Sequence, residues 1–193
     1  MLSGRRLDLL NPQSADIEID DIAHGLARVA RWNGQTIGDH GFSVAEHSLV
    51  VIDILLRLQP GASPHWQLAA LLHDGAEYVI GDLISPFKAA IGIDYKKFEQ
   101  QILMAIYTRF EITDHISEDL TALIKRADEI SAYFEAIHIA GFSIEEATRY
   151  FRPPESSDER FNDGTIFIEP LPVKQAQEQF LSRFTALKNE IEG

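Results

Sequence analysis

The stretch Ser63–Leu83, SPHWQLAALLHDGAEYVIGDL, decides how the chain reads. Its Ser-Pro start pairs an N-cap hydroxyl with a proline in the first turn, and so predicts a helix running on through HWQLAALLHDGAEYV. From Ala70 to Leu83 it carries a histidine, three carboxylates and two glycines among residues that otherwise read as the inside of that helix. On a continuous helix Glu77 shares a side with His73 and Asp74, against apolar Leu71, Leu72 and Ala76. An unpaired carboxylate is costly to bury in such a place, so three polar groups together need a partner, and a divalent cation serves all of them.

The flanking segments are also helical in pattern. Upstream, Asp20 is placed to cap a first helix through IAHGLARVARW that ends near Gly34. After Ser43 comes VAEHSLVVIDILLRL, too apolar all round to lie on a surface. Downstream, Asp94 is expected to cap YKKFEQQILMAIYTRF, whose stripe is Phe98, Ile102, Ala105, Ile106 and Phe110. Ser117 then opens EDLTALIKRADEISAYFEAIHIAG, closed by Gly141, and Ser143 with Glu146 forms a capping box. FRPPESSDERFNDG reads as a loop and TIFIEP as a short strand, and Pro172 starts a final amphipathic helix from about residue 173. Many helices, almost no strand pattern, no repeat and no linker together predict an all-α single domain over residues 1–193, with its motifs within 24–140.

Composition narrows the function. The 193 residues include no cysteine, which removes disulfides, thiolate metal sites and cysteine nucleophiles. No segment has the roughly 20 apolar residues that span a bilayer, so a soluble, cytoplasmic protein without a membrane partner is expected. A formal net charge of −13 argues against a nucleic-acid polymer as partner, because such binders present a basic face to phosphates. A small phosphorylated substrate remains compatible, since a divalent metal or a buried arginine reverses the potential locally.

Two further ionisable residues lie among core-like neighbours, His47 in SVAEHSLVVIDIL and Asp128 in LIKRADEISAYF. With His73 and Asp74 they give an N/O ligand set from three helices, suited to a borderline divalent ion such as Mn, Co, Ni, Fe or Zn. A lone histidine in an apolar helix is more often a satisfied core residue than a ligand; it is the joint pattern, one polar group in each of three core helices, that favours a metal. His65 and His115 near helix starts and His138 near a helix end have the ordinary surface or capping reading. His24 and His40, closer to the motif, are expected beside the ligands rather than among them.

The order His47, His73-Asp74, Asp128 resembles the H…HD…D pattern of the HD-domain metal-dependent phosphohydrolases, an all-α superfamily. Within it the chain is most similar to the 5′-deoxyribonucleotidases, which share an Arg-Trp pair, an EHS, an HDxxE and a GDLxTPxK stretch. Here these are Arg31-Trp32, Glu46–Ser48, His73–Glu77 and GDLISPFK at 81–88; Ile84 and Ser85 depart from that group's proline and threonine. The resemblance covers about the first three quarters of the chain, and from Phe151 onward there is no motif. It implies a helical-bundle phosphohydrolase, in family habit a dimer, that frees phosphate from a small phosphorylated substrate, foremost a (deoxy)nucleoside 5′-monophosphate. It implies that His47, His73, Asp74 and Asp128 hold one divalent ion and that Arg31 stabilises phosphoryl oxygens. Glu77 is assigned to proton transfer and Asp82 to orienting the water or the sugar. Trp32 is assigned to the sugar, and Ser85 and Lys88 to phosphate.

Each assignment has an ordinary alternative: a supporting carboxylate for Glu77, an N-cap for Asp82, a core tryptophan for Trp32, a turn and a surface charge for Ser85 and Lys88. Three other functions stand beside the leading one. They are a phosphodiesterase or pyrophosphohydrolase of cyclic or hyperphosphorylated nucleotides, a non-catalytic nucleotide- or metal-binding module, and a structural bundle with a buried polar network.

Overall fold

The computed structural model describes residues 1–83, 93–155, 158–161 and 166–193, with the backbone alone at Ile93 and Asp94. Among these residues there are eight α-helices and no sheet, as the pattern predicts. They are α1 (Ile19–Leu26), α2 (Val44–Leu58), α3 (Pro64–Leu71), α4 (Glu77–Ile80), α5 (Ile93–Arg109), α6 (Glu118–His138), α7 (Ile144–Tyr150) and α8 (Val173–Glu192). Among the described residues no helix is long and apolar enough to cross a membrane.

The most apolar segment lies at the centre. α2 packs against α3, α6 and α8, and its Val51, Ile52, Ile54 and Leu55 are wholly buried. Its first turn is fixed by a capping box: the Ser43 hydroxyl accepts from the Glu46 amide, and the Glu46 carboxylate accepts from the Ser43 amide at 2.9 Å. The same carboxylate also accepts from the Leu171 amide at 2.8 Å, which ties the segment before α8 to α2. The hydroxyls of Ser63, Ser117 and Ser143 cap α3, α6 and α7 as expected, and Gly141 follows α6 with φ +77°. Pro172 precedes α8.

Three expectations need correction. The first helix starts from Glu18, with Asp20 and Asp21 inside its first turn, and ends at Leu26 rather than near Gly34. An antiparallel bridge between Ala30 and Ser43 draws the chain out of helix, with the Arg31 amide donating to the Phe42 carbonyl at 2.8 Å and the Val44 amide to the Val29 carbonyl at 3.0 Å. Residues 31–34 then form a short 3-10 turn in which Trp32 and Asn33 both have positive φ.

The helix expected through HWQLAALLHDGAEYV breaks after Leu71 and resumes as α4 at Glu77. The Gly75 amide turns back to the Leu72 carbonyl at 2.9 Å, and a Cβ at Gly75 would lie 2.9 Å from that oxygen and 3.1 Å from Ile106, so only glycine fits the turn. His73 and Glu77 are therefore held by a turn and a new helix start, not by one continuous face. The segment TIFIEP forms no strand where it is described; Ile168 instead buries against Phe42 and Ile139. The Asp94 cap falls on a side chain outside the described residues, and α5 is described from Ile93.

α1 crosses α4 at Gly25, where an added Cβ would lie 2.7 Å from Tyr78 Cβ and 2.8 Å from its carbonyl oxygen. Backbone on the far side has no room to yield. Gly25→Ala should therefore lower stability by about 2 kcal/mol through overpacking, although alanine is the better helix former; a lower urea midpoint at unchanged m-value is the expected result.

Candidate metal centre

His47 is the fourth residue of α2, so the capping box sets the helical phase that turns it inward, and it is wholly buried. Its Nδ1–H donates to Glu135 Oε1 on α6 at 2.6 Å, leaving the Nε2 edge facing α3 and the turn after it. His73, in that turn, has Nδ1 2.8 Å from the Ala70 carbonyl, which fixes Nδ1 as the donor and leaves Nε2 as the lone pair.

The two rings lie 5.3 Å apart. Asp74 Oδ2 sits 3.3 Å from His73 Nε2 and 3.5 Å from His47 Nε2, and Asp128 Oδ1 sits 3.2 Å from His47 Nε2. One ligand atom each from His47, His73 and Asp128 falls within 4.8 Å of the others. Both Nε2 atoms are buried and make no hydrogen bond. Two orphaned imidazole nitrogens converging with two carboxylate oxygens form a donor set that fits a borderline divalent cation, and the hydrogen bonds at the opposite ring nitrogens are those that orient metal-binding histidines.

The structure adds a residue that the sequence reading missed. Glu135 is completely buried and accepts four hydrogen bonds: from His47 Nδ1 and Ser131 Oγ (2.8 Å) on one oxygen, and from Arg31 Nε (2.9 Å) and Trp32 Nε1 (2.8 Å) on the other. Asp128, Ser131 and Glu135 follow at i, i+3 and i+7, so they share one face of α6. That spacing was the available signal. Trp32 also packs edge-on against Phe151 at 5.5 Å and tilted against Phe142 at 5.9 Å.

The remaining expected residues fall as follows. Arg31 Nη1 reaches to 3.9 Å from Asp74. Glu77 is buried in the first turn of α4, and Asp82 is half-buried just after that helix, close enough for its charge to act on Arg31. Ser85 and Lys88 lie outside the described residues. His65 and His115 are away from the cluster, stacked on each other at 3.7 Å.

Burial is the largest influence on every charged group here, and their mutual attraction overrides it. Burial pushes the carboxyls of Glu135 and Asp74 up, yet Arg31 and His47 beside Glu135, and His73, His47 and Arg31 beside Asp74, hold both well below the usual carboxylate range. Asp128 is lowered by its contact with His47 despite burial. Burial and Arg31 push His47 down, but Glu135 and Asp128 carry it to about 10.

The chain is 48% identical over its full length to an uncharacterized protein of Rhodobacter capsulatus, 96% of which it covers, and it belongs to that protein's family. It is also 31% identical to a 5′-deoxynucleotidase of Cronobacter sakazakii across 53% of this chain and 60% of that protein. No family model matches the chain.

These shifts set a stability profile for the metal-free protein. The carboxylates stabilise the fold above their ordinary values of 3.8 and 4.5, and this contribution is lost as pH falls toward the depressed values. His47 contributes in full below its ordinary 6.5 and progressively less as pH rises to about 10. Urea denaturation should therefore give maximal stability between the carboxylate range and pH 6.5, with decline on both sides. A divalent ion has to displace the His47 proton, so its affinity should rise about tenfold per pH unit through neutrality, read by calorimetry in buffers of different ionisation enthalpy.

Proposed function

We propose that the protein is an HD-type, metal-dependent phosphohydrolase, one domain over residues 1–193, acting in the cytoplasm on nucleoside 5′-monophosphates. The observation that carries this reading is the pair of buried, unbonded Nε2 atoms converging on two carboxylates. The partial similarity to a 5′-deoxynucleotidase supports the nucleotide substrate.

His47, His73, Asp74 and Asp128 would hold the ion. Bound there, a divalent cation supplies Lewis acidity and lowers the pKa of water from 15.7 toward about 7. The rest of the work falls to the chain itself. Arg31 has its Nε committed to Glu135, which orients the guanidinium and directs its outer nitrogens at the cluster, where phosphoryl oxygens would gather. Its planar fork suits phosphate, and although burial disfavours its charge, Glu135, Asp74, Asp128 and Asp82 together keep it charged at any working pH.

A sugar alkoxide leaves poorly unless protonated, so a carboxylic acid must deliver a proton as the P–O bond breaks. Glu77, buried in α4 beside the Asp74 turn, takes that role. Asp82 orients the attacking water or the sugar, Trp32 bounds the sugar while holding Glu135 through its N–H, and Ser85 and Lys88 meet the phosphate.

The test is phosphate release from a panel of ribo- and deoxyribonucleoside 5′-monophosphates by protein stripped of metal and refilled with Mn, Co, Zn or Mg. Turnover confined to refilled protein is expected. Asp74→Ala should abolish it with helical content retained, and Glu77→Gln should lower kcat by about 10²–10⁴-fold, the range of a lost general acid. Bound metal with no phosphate released from any monophosphate would overturn the reading.

A further inference from the structure

A cavity of about 500 Å³ adjoins the metal cluster, and His73 and Asp128 belong to its lining. Its volume falls within the range of about 300–1,000 Å³ typical of small-ligand sites. The buried part is apolar: Tyr107 from α5 and Leu120 and Ile124 from α6 are almost fully covered, and the Tyr107 hydroxyl is tied to the Ala69 carbonyl at 3.4 Å. Leu103 and Met104 add further apolar wall, and Met104 is 44% exposed. Polar groups from Gln100, Thr121 and Lys125 complete the lining, and Thr121 and Lys125 are solvent-exposed.

Resting on the phosphohydrolase reading, we propose that this cavity receives the base of the leaving nucleoside, so that residues of α5 and α6 not assigned by motif determine which phosphate esters are good substrates. The placement follows from α6. Thr121, Ile124, Lys125 and Asp128 lie at i, i+3, i+4 and i+7 on one face, so the cavity runs two turns, about 10 Å, along the helix from the ligand Asp128. This face is thus within reach of the ester group of a phosphate held at the cluster, at a distance suited to the base that lies beyond the sugar.

The lining chemistry selects the class of group. An aromatic base offers two apolar faces and a polar edge, matching an apolar interior with amide, hydroxyl and ammonium groups around it. A bare polyol would leave Leu120, Ile124 and Tyr107 unsatisfied by contact, and an alkyl chain would have no use for the polar residues. Met104 suits such a role because its flexible thioether packs well against aromatic rings.

The deciding experiment fills the cavity from its exposed side, with Thr121→Trp on α6 and, separately, Met104→Trp on α5. Binding of free nucleosides, adenosine and thymidine, to metal-free protein is followed by saturation-transfer NMR and calorimetry. Turnover of nucleoside 5′-monophosphates is compared with that of glycerol 3-phosphate, which has no base. Nucleoside affinity should fall about tenfold or more, a change of about 1.4 kcal/mol. The ratio of kcat/KM for nucleotide over glycerol phosphate should fall by a similar factor. Nucleoside affinity unchanged in both folded variants would overturn the proposal. The nucleoside measurement needs no turnover, so a protein that binds nucleosides here but releases no phosphate would refute the phosphohydrolase reading alone.

Discussion

The buried carboxylate of Glu135 is the group on which the centre depends. It draws together three parts of the chain far apart in sequence: His47 on α2, Arg31 and Trp32 on the 3-10 turn, and Ser131 on its own helix. A fully ionised carboxylate offers about four acceptor directions, and here four donors use them. An amide in its place would turn an N–H toward either Arg31 or His47, where only acceptors fit. Burying one charge without its partners costs about 3–5 kcal/mol, so the cluster persists as a set or not at all.

Around that carboxylate, α6 acts as the measuring rod of the site. Glu135 at one end of its inward face orients the arginine and one histidine, Asp128 in the middle meets the cluster, and Ile124 and Thr121 face the apolar cavity. From Glu135 to Asp128 and from Asp128 to Thr121 is about two helical turns each, with Ile124 one turn from Asp128. The other elements supply one group each from fixed positions: α2 by its capped first turn, and the Gly75 turn by a reversal that admits no side chain.

Much of this was legible in the sequence because its signals are local. Serine caps announced α3, α6 and α7, and the apolar length of α2 marked it as central. His47, His73, Asp74 and Asp128 stood out as ionisable residues in apolar company, and their side chains do converge. What was misread depends on partners distant in the chain. The first helix ends early because Ala30 pairs with Ser43, and α3 breaks where Gly75 meets Ile106; neither contact leaves a trace in helical periodicity. Glu135 was overlooked because a glutamate in an amphipathic helix ordinarily faces water. Only its spacing from Asp128 says otherwise.

The proton on His47 has a consequence for the life of the protein before any ion arrives. Of the three carboxylates with depressed pKa values, Arg31 and a protonated His47 offset two in the metal-free state, which leaves one negative charge over. Without a cation these five groups thus attract one another and keep one net negative charge, which favours a cation over an anion at the cluster. On the phosphohydrolase reading, a newly made chain would fold without metal, and a cation bound afterwards would exchange for a proton. Which ion such a chain would carry would then reflect the supply it meets once folded.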